Sequence, residues 1–157
     1  MATDIVLGLA VLALLIWRQL STRPVNASAL RLIVILLAIG LLEAGQFLSE
    51  NHAGMLTYAA LVGSLLIAAL FGALRAATVR IWLAGGQAWS KGNWLTAVLW
   101  VAAVAAHLGY DALVANGHGN HGLGNATLVL YLAISLGFQR VIVQYRAGRL
   151  APAALAR

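Results

Sequence analysis

The sequence predicts an all-α integral membrane protein, a bundle of five transmembrane helices forming a single domain over residues 1–157. Composition predicts this class: 62% of the residues are hydrophobic and 9% are charged, whereas soluble domains average about 45–50% apolar and about 25% charged. So few charged side chains cannot cover a soluble globule, and lipid must cover most of the surface. The chain has no cysteine, which excludes disulfides, thiolate-ligated zinc and iron–sulfur clusters.

Five apolar segments are long enough to cross the roughly 30 Å of bilayer hydrocarbon, which takes about 20 helical residues. The first span, over about residues 4–20, is the shortest, and it is preceded by Asp4 and followed by Arg18. This charge order is the reverse of a cleaved signal peptide and favours a retained helix. The other spans are expected at about residues 29–48, 55–79, 94–114 and 123–145, and none contains proline.

The basic residues predict the orientation of these spans, because cytoplasmic loops collect Lys and Arg. The connections over residues 49–54 and 115–122 contain neither. All ten basic residues flank the first connection, the third connection or the C-terminus: Arg18, Arg23, Arg31, Arg75, Arg80, Lys91, Arg140, Arg146, Arg149 and Arg157. The predicted topology places the N-terminus outside and the C-terminus in the cytoplasm. The net charge of +6 then lies at membrane edges near anionic headgroups, and no nucleic-acid partner is expected.

Small residues recur every four positions along the third span, at Ser64, Ala68, Gly72 and Ala76. They form one ridge on a helix, and such ridges let membrane helices approach closely. We therefore expect the third span to lie at the centre of the bundle.

The third connection, over residues 78–92, predicts a short cytoplasmic hairpin. Two short runs of apolar and aromatic residues flank the Gly85-Gly86 pair. Two adjacent glycines readily take the positive φ angles that a tight hairpin turn requires.

Side chains around this hairpin form the first candidate site. Trp82 and Trp89 suit the headgroup layer, where an indole buries its ring and keeps its N–H in contact with water. A second interpretation is that Arg75 and Arg80 form a cationic pocket, covered by the hairpin, for a phosphate or a lipid headgroup. Both interpretations predict contact with anionic lipid or with a partner at the cytoplasmic face.

The same stretch resembles a known family. The run over residues 72–82, the Gly85-Gly86 pair and the run over residues 89–92 resemble the CcdC-like family of small bacterial multi-spanning membrane proteins. The resemblance implies a multi-pass protein of the bacterial cytoplasmic (inner) membrane and an association with cytochrome c maturation, and it implies no reaction. It also implies importance for several residues, which together with Trp89 make up the predicted headgroup or partner contact: Arg75, Thr78, Arg80, Trp82 and Lys91.

Ionisable residues in the outer half form the second candidate site, because each is costly within hydrocarbon. Glu43 lies in the outer third of the second span, and His107 and Asp111 share one face of the fourth span. Imidazole and carboxylate groups suit Zn²⁺ or Cu²⁺, or a proton site. The alternative is a passive arrangement, with an intrahelical His107–Asp111 pair and a hydrogen-bonded Glu43. His118 and His121 in the outer loop either add weak metal capture or belong to a plain solvated loop.

Three functional hypotheses follow from these patterns. The leading one is a non-enzymatic accessory membrane protein that acts through lipid, a membrane-protein partner or a homo-oligomer. The alternative is a small oligomeric transporter or binding protein for a metal ion or proton. The third, a membrane enzyme acting on lipid-linked substrates, has no supporting motif, since the sequence lacks a nucleophile elbow, a Walker loop and a His-Glu-x-x-His helix. No cofactor is expected, because a bis-histidine haem site needs two histidines at membrane depth and only His107 lies within a span.

Overall fold

The computed structural model describes residues 13–14, 16–17, 19–25, 29–52, 54–118 and 122–155. In chain order these form β1 (Arg23–Pro24), α1 (Ala29–Glu50), α2 (Met55–Thr78), β2 (Arg80–Ala84), β3 (Gln87–Lys91), α3 (Trp94–His118) and α4 (Leu123–Leu155). Residues 13–14, 16–17 and 19–20 are also helical. The described part of the chain is therefore a helical bundle with one small sheet.

Four helices in the described residues are long and apolar enough to cross a membrane. They confirm the second to fifth predicted spans, although the last helix runs past residue 145. Their spanning stretches are Leu30–Glu50, Met55–Thr78, Trp94–Val114 and Leu123–Leu150. The first predicted span, over residues 4–20, lies mostly outside the described residues. The structure therefore supports four spanning helices and does not support the count of five, which stays a prediction.

The outward surfaces of these helices are apolar, whereas the outer surface of a helix in a soluble protein is mostly polar. Each spanning helix exposes large apolar side chains, such as Leu42 (66% exposed), Leu66 (66%), Leu113 (74%) and Val141 (59%). The side chains between helices are mostly small or polar, as expected where surrounding lipid removes the hydrophobic force between helices. This distribution fits a protein that is covered by lipid.

Helix packing places α4 at the centre. It contacts all three of the other spanning helices, most extensively α1 and α2, and α2 also packs against α3. The predicted small-residue ridge on α2 is confirmed, since Ser64, Ala68, Gly72 and Ala76 are all buried. Gly72 lies directly against the backbone carbonyl of Ser135 on α4. Gly72 therefore brings α2 close to α4, and α4, not α2, has the most neighbouring elements.

The predicted hairpin is confirmed after α2. Strands β2 and β3 are antiparallel and pair Ala84 with Gln87, which leaves Gly85 and Gly86 as the two-residue turn at φ angles of 59° and 75°. Strand β1 pairs with the other side of β3 and makes the strand order β1-β3-β2. This third strand was not predicted, because its two residues include Pro24, which strands tolerate only at an edge.

The sheet is attached to the bundle through one apolar cluster. Ala76, Val79 and Val143 form its buried part, and Ile81 of β2 packs against them. Arg146 of α4 donates hydrogen bonds to the carbonyls of Ala76 and Val79, the latter at 3.3 Å. These contacts hold the sheet at the end of α2 that is predicted to be cytoplasmic.

Candidate functional site

The outer candidate site is built around the start of α4. His107 is buried (3% exposed), and its Nε2 lies 3.1 Å from the carbonyl oxygen of Gly124. Because a carbonyl only accepts, Nε2 carries the proton in this arrangement. The other ring nitrogen, Nδ1, is 3.5 Å from Ser64 Oγ, and the ring also stacks at a tilt on Tyr131, 4.5 Å between centroids.

Asp111 binds the same residue of α4 from the next turn of α3. Its Oδ1 accepts a hydrogen bond of 2.7 Å from the backbone N–H of Gly124, the second residue of α4. This amide is one of the four N–H groups that a helix start leaves without an intrahelical partner. The predicted His107–Asp111 intrahelical pair is therefore wrong in detail, because each side chain bonds to Gly124 rather than to the other.

A small cavity lies beside these groups. It has room for about one water molecule. Its walls combine polar and apolar residues: Ala60, Ser64, His107, Tyr110, Asp111, Val114, Leu123, Gly124 and Thr127. The polar groups here are bound mainly to each other and to backbone, so the cavity is suited to a bound water.

Among the other predicted outer residues, the described Glu43 does not line this cavity. Glu43 is exposed on α1, which packs against α4. His118 is the last residue of α3, and His121 lies outside the described residues. Within the described residues, no group of three or more His, Asp or Glu side chains is arranged to hold a metal ion. The structure therefore brings together His107 and Asp111 from the predicted set and adds Ser64.

At the opposite end of the bundle, Thr78 joins two helices. Its hydroxyl lies 2.9 Å from that of Thr96. Thr96 in turn exchanges two hydrogen bonds with Asn93. The backbone N–H of Thr96 donates to Asn93 Oδ1 at 3.0 Å, and the backbone N–H of Asn93 donates to Thr96 Oγ1 at 3.1 Å. This reciprocal pair is a capping box at the start of α3. Asn93 also donates to the Thr78 carbonyl at 3.1 Å. Thr78 therefore connects the end of α2 to the start of α3, and its contact with headgroups or a partner stays a prediction.

Arg75 and Arg80 do not share a pocket, so that prediction is wrong. Arg75 is completely buried inside the bundle (0% exposed), whereas Arg80 is exposed on β2. The two differ because Arg75 belongs to the last turn of α2 and faces α4, while Arg80 follows the helix and starts a strand.

One face of the sheet carries the remaining predicted residues. Side chains alternate between the faces of a strand, so Arg80 and Trp82 point to the same side, opposite Lys91 and Trp89 respectively. Arg80 and Lys91 are exposed, Trp82 is 37% exposed, and Trp89 is half-buried. We call these four residues the tryptophan–cation face. Ile81 points to the other side, toward the bundle.

No protein family, characterised protein or solved structure matches this chain. The resemblance of residues 72–92 to the CcdC-like family therefore stays a prediction.

Two important residues were not predicted from the sequence. Trp100 and Ser135 hold the buried Arg75 side chain. A signal for Ser135 was present, because the polar residues of α4 at the bundle interior recur every four positions: Thr127, Tyr131, Ser135 and Gln139. Trp100 had no comparable signal, since apolar and aromatic residues surround it in the sequence.

Proposed function

We propose that the chain is a non-enzymatic accessory protein of the bacterial cytoplasmic membrane whose tryptophan–cation face binds anionic lipid headgroups. The observation that carries this proposal is the direct cross-strand pairing of Arg80 with Lys91 beside the pairing of Trp82 with Trp89. We further propose five spans, with the N-terminus outside and the C-terminus in the cytoplasm.

The pairing of two cations supports an anionic ligand. Like charges directly opposite each other destabilise a sheet, and none of the three strands contains an acidic residue. All described acidic residues lie on the side of the membrane that is predicted to be outside. They are Glu43, Glu50 and Asp111. An anionic headgroup would remove this repulsion, and the two indoles suit the same interfacial layer.

Lipid selectivity tests the headgroup contact. Spin-labelled phosphatidylglycerol and phosphatidylcholine compete for the surface of the reconstituted protein, and electron paramagnetic resonance measures their relative association. An anionic surface attracts each nearby Lys or Arg by about 1 kcal/mol, so we expect the Arg80→Gln/Lys91→Gln variant to lower the preference for phosphatidylglycerol at least about fivefold.

The matched control is Arg31→Gln/Arg149→Gln, which removes the same charge from exposed positions on α1 and α4. We expect this control to have a smaller effect. An equal loss in both double variants would mean that overall charge, and not the tryptophan–cation face, sets the preference.

The absence of cysteine makes the topology directly testable. Single cysteines at Thr3, Asn51 and Gln87 are labelled in whole cells with a membrane-impermeant maleimide. We expect Thr3→Cys and Asn51→Cys to react in intact cells and Gln87→Cys to react only after permeabilisation. Labelling of Thr3→Cys only after permeabilisation would show four spans.

The metal or proton alternative is favoured by one observation, the position of His107 Nδ1 beside the Ser64 hydroxyl and the cavity. Isothermal titration with Zn²⁺ and Cu²⁺, and proton uptake into vesicles, test it. His107→Gln and Asp111→Asn, which change two residues of the cavity wall, would then abolish the signal, whereas the control His52→Gln, at an exposed turn, would keep it. Signals that are equal in all three variants would contradict this alternative.

A further inference from the structure

The side chain of Arg75 is enclosed in the interior of the bundle. Its Nη2 donates a hydrogen bond of 2.5 Å to Ser135 Oγ, and its Cζ lies 3.9 Å from the ring centroid of Trp100. Arg75 is 0% exposed, and Trp100 and Ser135 are each 1% exposed. The guanidinium is therefore held in a defined position by a hydroxyl and an aromatic face.

Several N–H donors of Arg75 and Trp100 have no acceptor among the described residues. Arg75 Nε, Arg75 Nη1 and Trp100 Nε1 are buried and make no hydrogen bond to the described residues. Buried polar groups almost always have a partner, and an unsatisfied donor pays the full cost of lost hydration. Three such donors on two stacked side chains indicate a missing acceptor.

The charge of Arg75 also has no partner among the described residues. The described carboxylates are Glu43, Glu50 and Asp111, and Asp111 is bound to Gly124 at the other end of the bundle. A cation inside a membrane helix is costly unless it is paired or functional. The missing acceptor is therefore best matched by an anion.

The depth of the site matches the phosphate layer of a bilayer. Arg75 lies three residues before the end of α2, about 4.5 Å by helical rise. The 24 residues of α2 span about 36 Å, slightly more than the roughly 30 Å of hydrocarbon. The Arg75 backbone therefore lies near the boundary between hydrocarbon and headgroups.

We propose that Arg75 and Trp100 bind a phosphate oxyanion carrying one negative charge, the phosphodiester of a membrane lipid, inside the cytoplasmic end of the bundle. One guanidinium balances one negative charge, and the two non-bridging oxygens supply acceptors for the unpaired N–H groups. Because the site is enclosed, the anion enters when the helices separate locally, and it stays bound through purification. This site lies inside the bundle and is independent of the tryptophan–cation face.

Native mass spectrometry of the detergent-purified protein, before any delipidation, tests the proposal. We expect one phospholipid per chain to remain on the wild type, with at least about tenfold lower occupancy in Arg75→Gln. Trp100→Phe keeps the stacked ring and removes one donor, and we expect occupancy about threefold to tenfold lower. The control Arg149→Gln, which removes an exposed cation from α4, should retain the lipid.

The unfolding temperature of the delipidated protein, measured after adding one compound at a time, identifies the source of the oxyanion. The three compounds are phosphatidylglycerol, phosphatidylethanolamine and inorganic phosphate. Stabilisation by either lipid that is lost in Trp100→Phe supports the phosphodiester. Stabilisation by inorganic phosphate alone would overturn the lipid source. Trp100→Phe keeps the test valid if Arg75→Gln does not fold.

The proposal is overturned if the wild type carries no phosphorus-containing adduct and none of the three additions raises its unfolding temperature. It is also overturned if Arg80→Gln/Lys91→Gln loses the retained lipid as fully as Arg75→Gln, because the lipid would then belong to the sheet surface. Loss of phosphatidylglycerol selectivity in that double variant, with the retained lipid intact, would support both proposals separately.

Discussion

Gln19 and Gln139 exchange two hydrogen bonds between their side-chain amides, Nε2 to Oε1 at 3.0 Å and 2.7 Å. The carbonyl of Gln19 also accepts the Gly92 N–H at 2.9 Å. Gln139 is 8% exposed and lies on the interior side of α4. The end of the first predicted span is therefore attached to the central helix and to the segment that follows the sheet.

This amide pair predicts strong coupling between the two positions. Gln139→Leu alone leaves the amide of Gln19 unpaired, and we expect it to lower the free energy of unfolding by about 1–3 kcal/mol. Gln19→Leu/Gln139→Leu removes both amides and should recover at least half of that loss. Reversible detergent unfolding of the four proteins in the double-mutant cycle measures the coupling.

The control is Gln46→Leu, at an exposed position of α1, and we expect it to change the free energy of unfolding little. Additive losses from the two single substitutions would show that the amides do not interact in the membrane.

Asp111 predicts a second stability effect, because it caps α4 from a neighbouring helix. Asp111→Ala removes the acceptor for Gly124 N–H and the negative charge at a helix N-terminus, and we expect a loss of about 1–3 kcal/mol. Asp111→Asn keeps an acceptor oxygen and should lose less. Thermal unfolding in detergent, followed by circular dichroism, ranks the variants.

Glu43→Ala is the matched control, since it removes an exposed carboxylate from α1. We expect this variant to unfold near the wild-type temperature. If Asp111→Ala is as stable as the wild type, the hydrogen bond to Gly124 has no structural role and the metal or proton hypothesis gains support.

Two glycines on α1 form a matched pair for the α1–α4 interface. A Cβ at Gly40 would lie 2.6 Å from Leu130 Cα, whereas a Cβ at Gly45 would meet nothing within 4 Å. We expect Gly40→Ala to force the helices apart and cost about 1–3 kcal/mol. Gly45→Ala should be neutral or stabilising by up to about 1 kcal/mol, because alanine favours helix.

Detergent unfolding of both glycine variants measures this difference. Equal stabilities for Gly40→Ala and Gly45→Ala would contradict the close approach of α1 to α4.

Hydropathy and turn chemistry predicted the features that depend on local sequence. The four described spans follow from apolar length, the hairpin follows from Gly85-Gly86, and the buried ridge of α2 follows from small residues at four-residue spacing. These signals lie within one segment of the chain, so no knowledge of its neighbours is needed.

Features that depend on which helices meet were not predicted. Arg75 was placed with Arg80, because sequence shows that a cation lies near the end of a span and not which neighbour it faces. Its contact with Trp100 and Ser135 requires α3 and α4 to pack against α2 at the same depth in the bundle. Similarly, a candidate site that contains both Glu43 and His107 requires α1 and α3 to lie close together, whereas α1 packs mainly on α4.

The hairpin turn predicts a position-specific response to substitution. Gly85 and Gly86 both adopt positive φ angles, which cost most L-residues about 1–2 kcal/mol, whereas asparagine tolerates them better. We therefore expect Gly85→Asn to keep the backbone hydrogen bonds of β2 and β3, and Gly85→Val to weaken them. Hydrogen exchange of the strand amides measures the change as lower protection.

Ala84→Val is the control for the added β-branched side chain. Residue 84 is exposed at the end of β2, where valine suits extended backbone, so protection should be maintained or raised. If valine lowers protection equally at residues 84 and 85, the effect comes from its size and not from the positive φ angle. A selective loss at residue 85 would also disturb the pairing of Trp82 with Trp89, because the turn sets the register of the tryptophan–cation face.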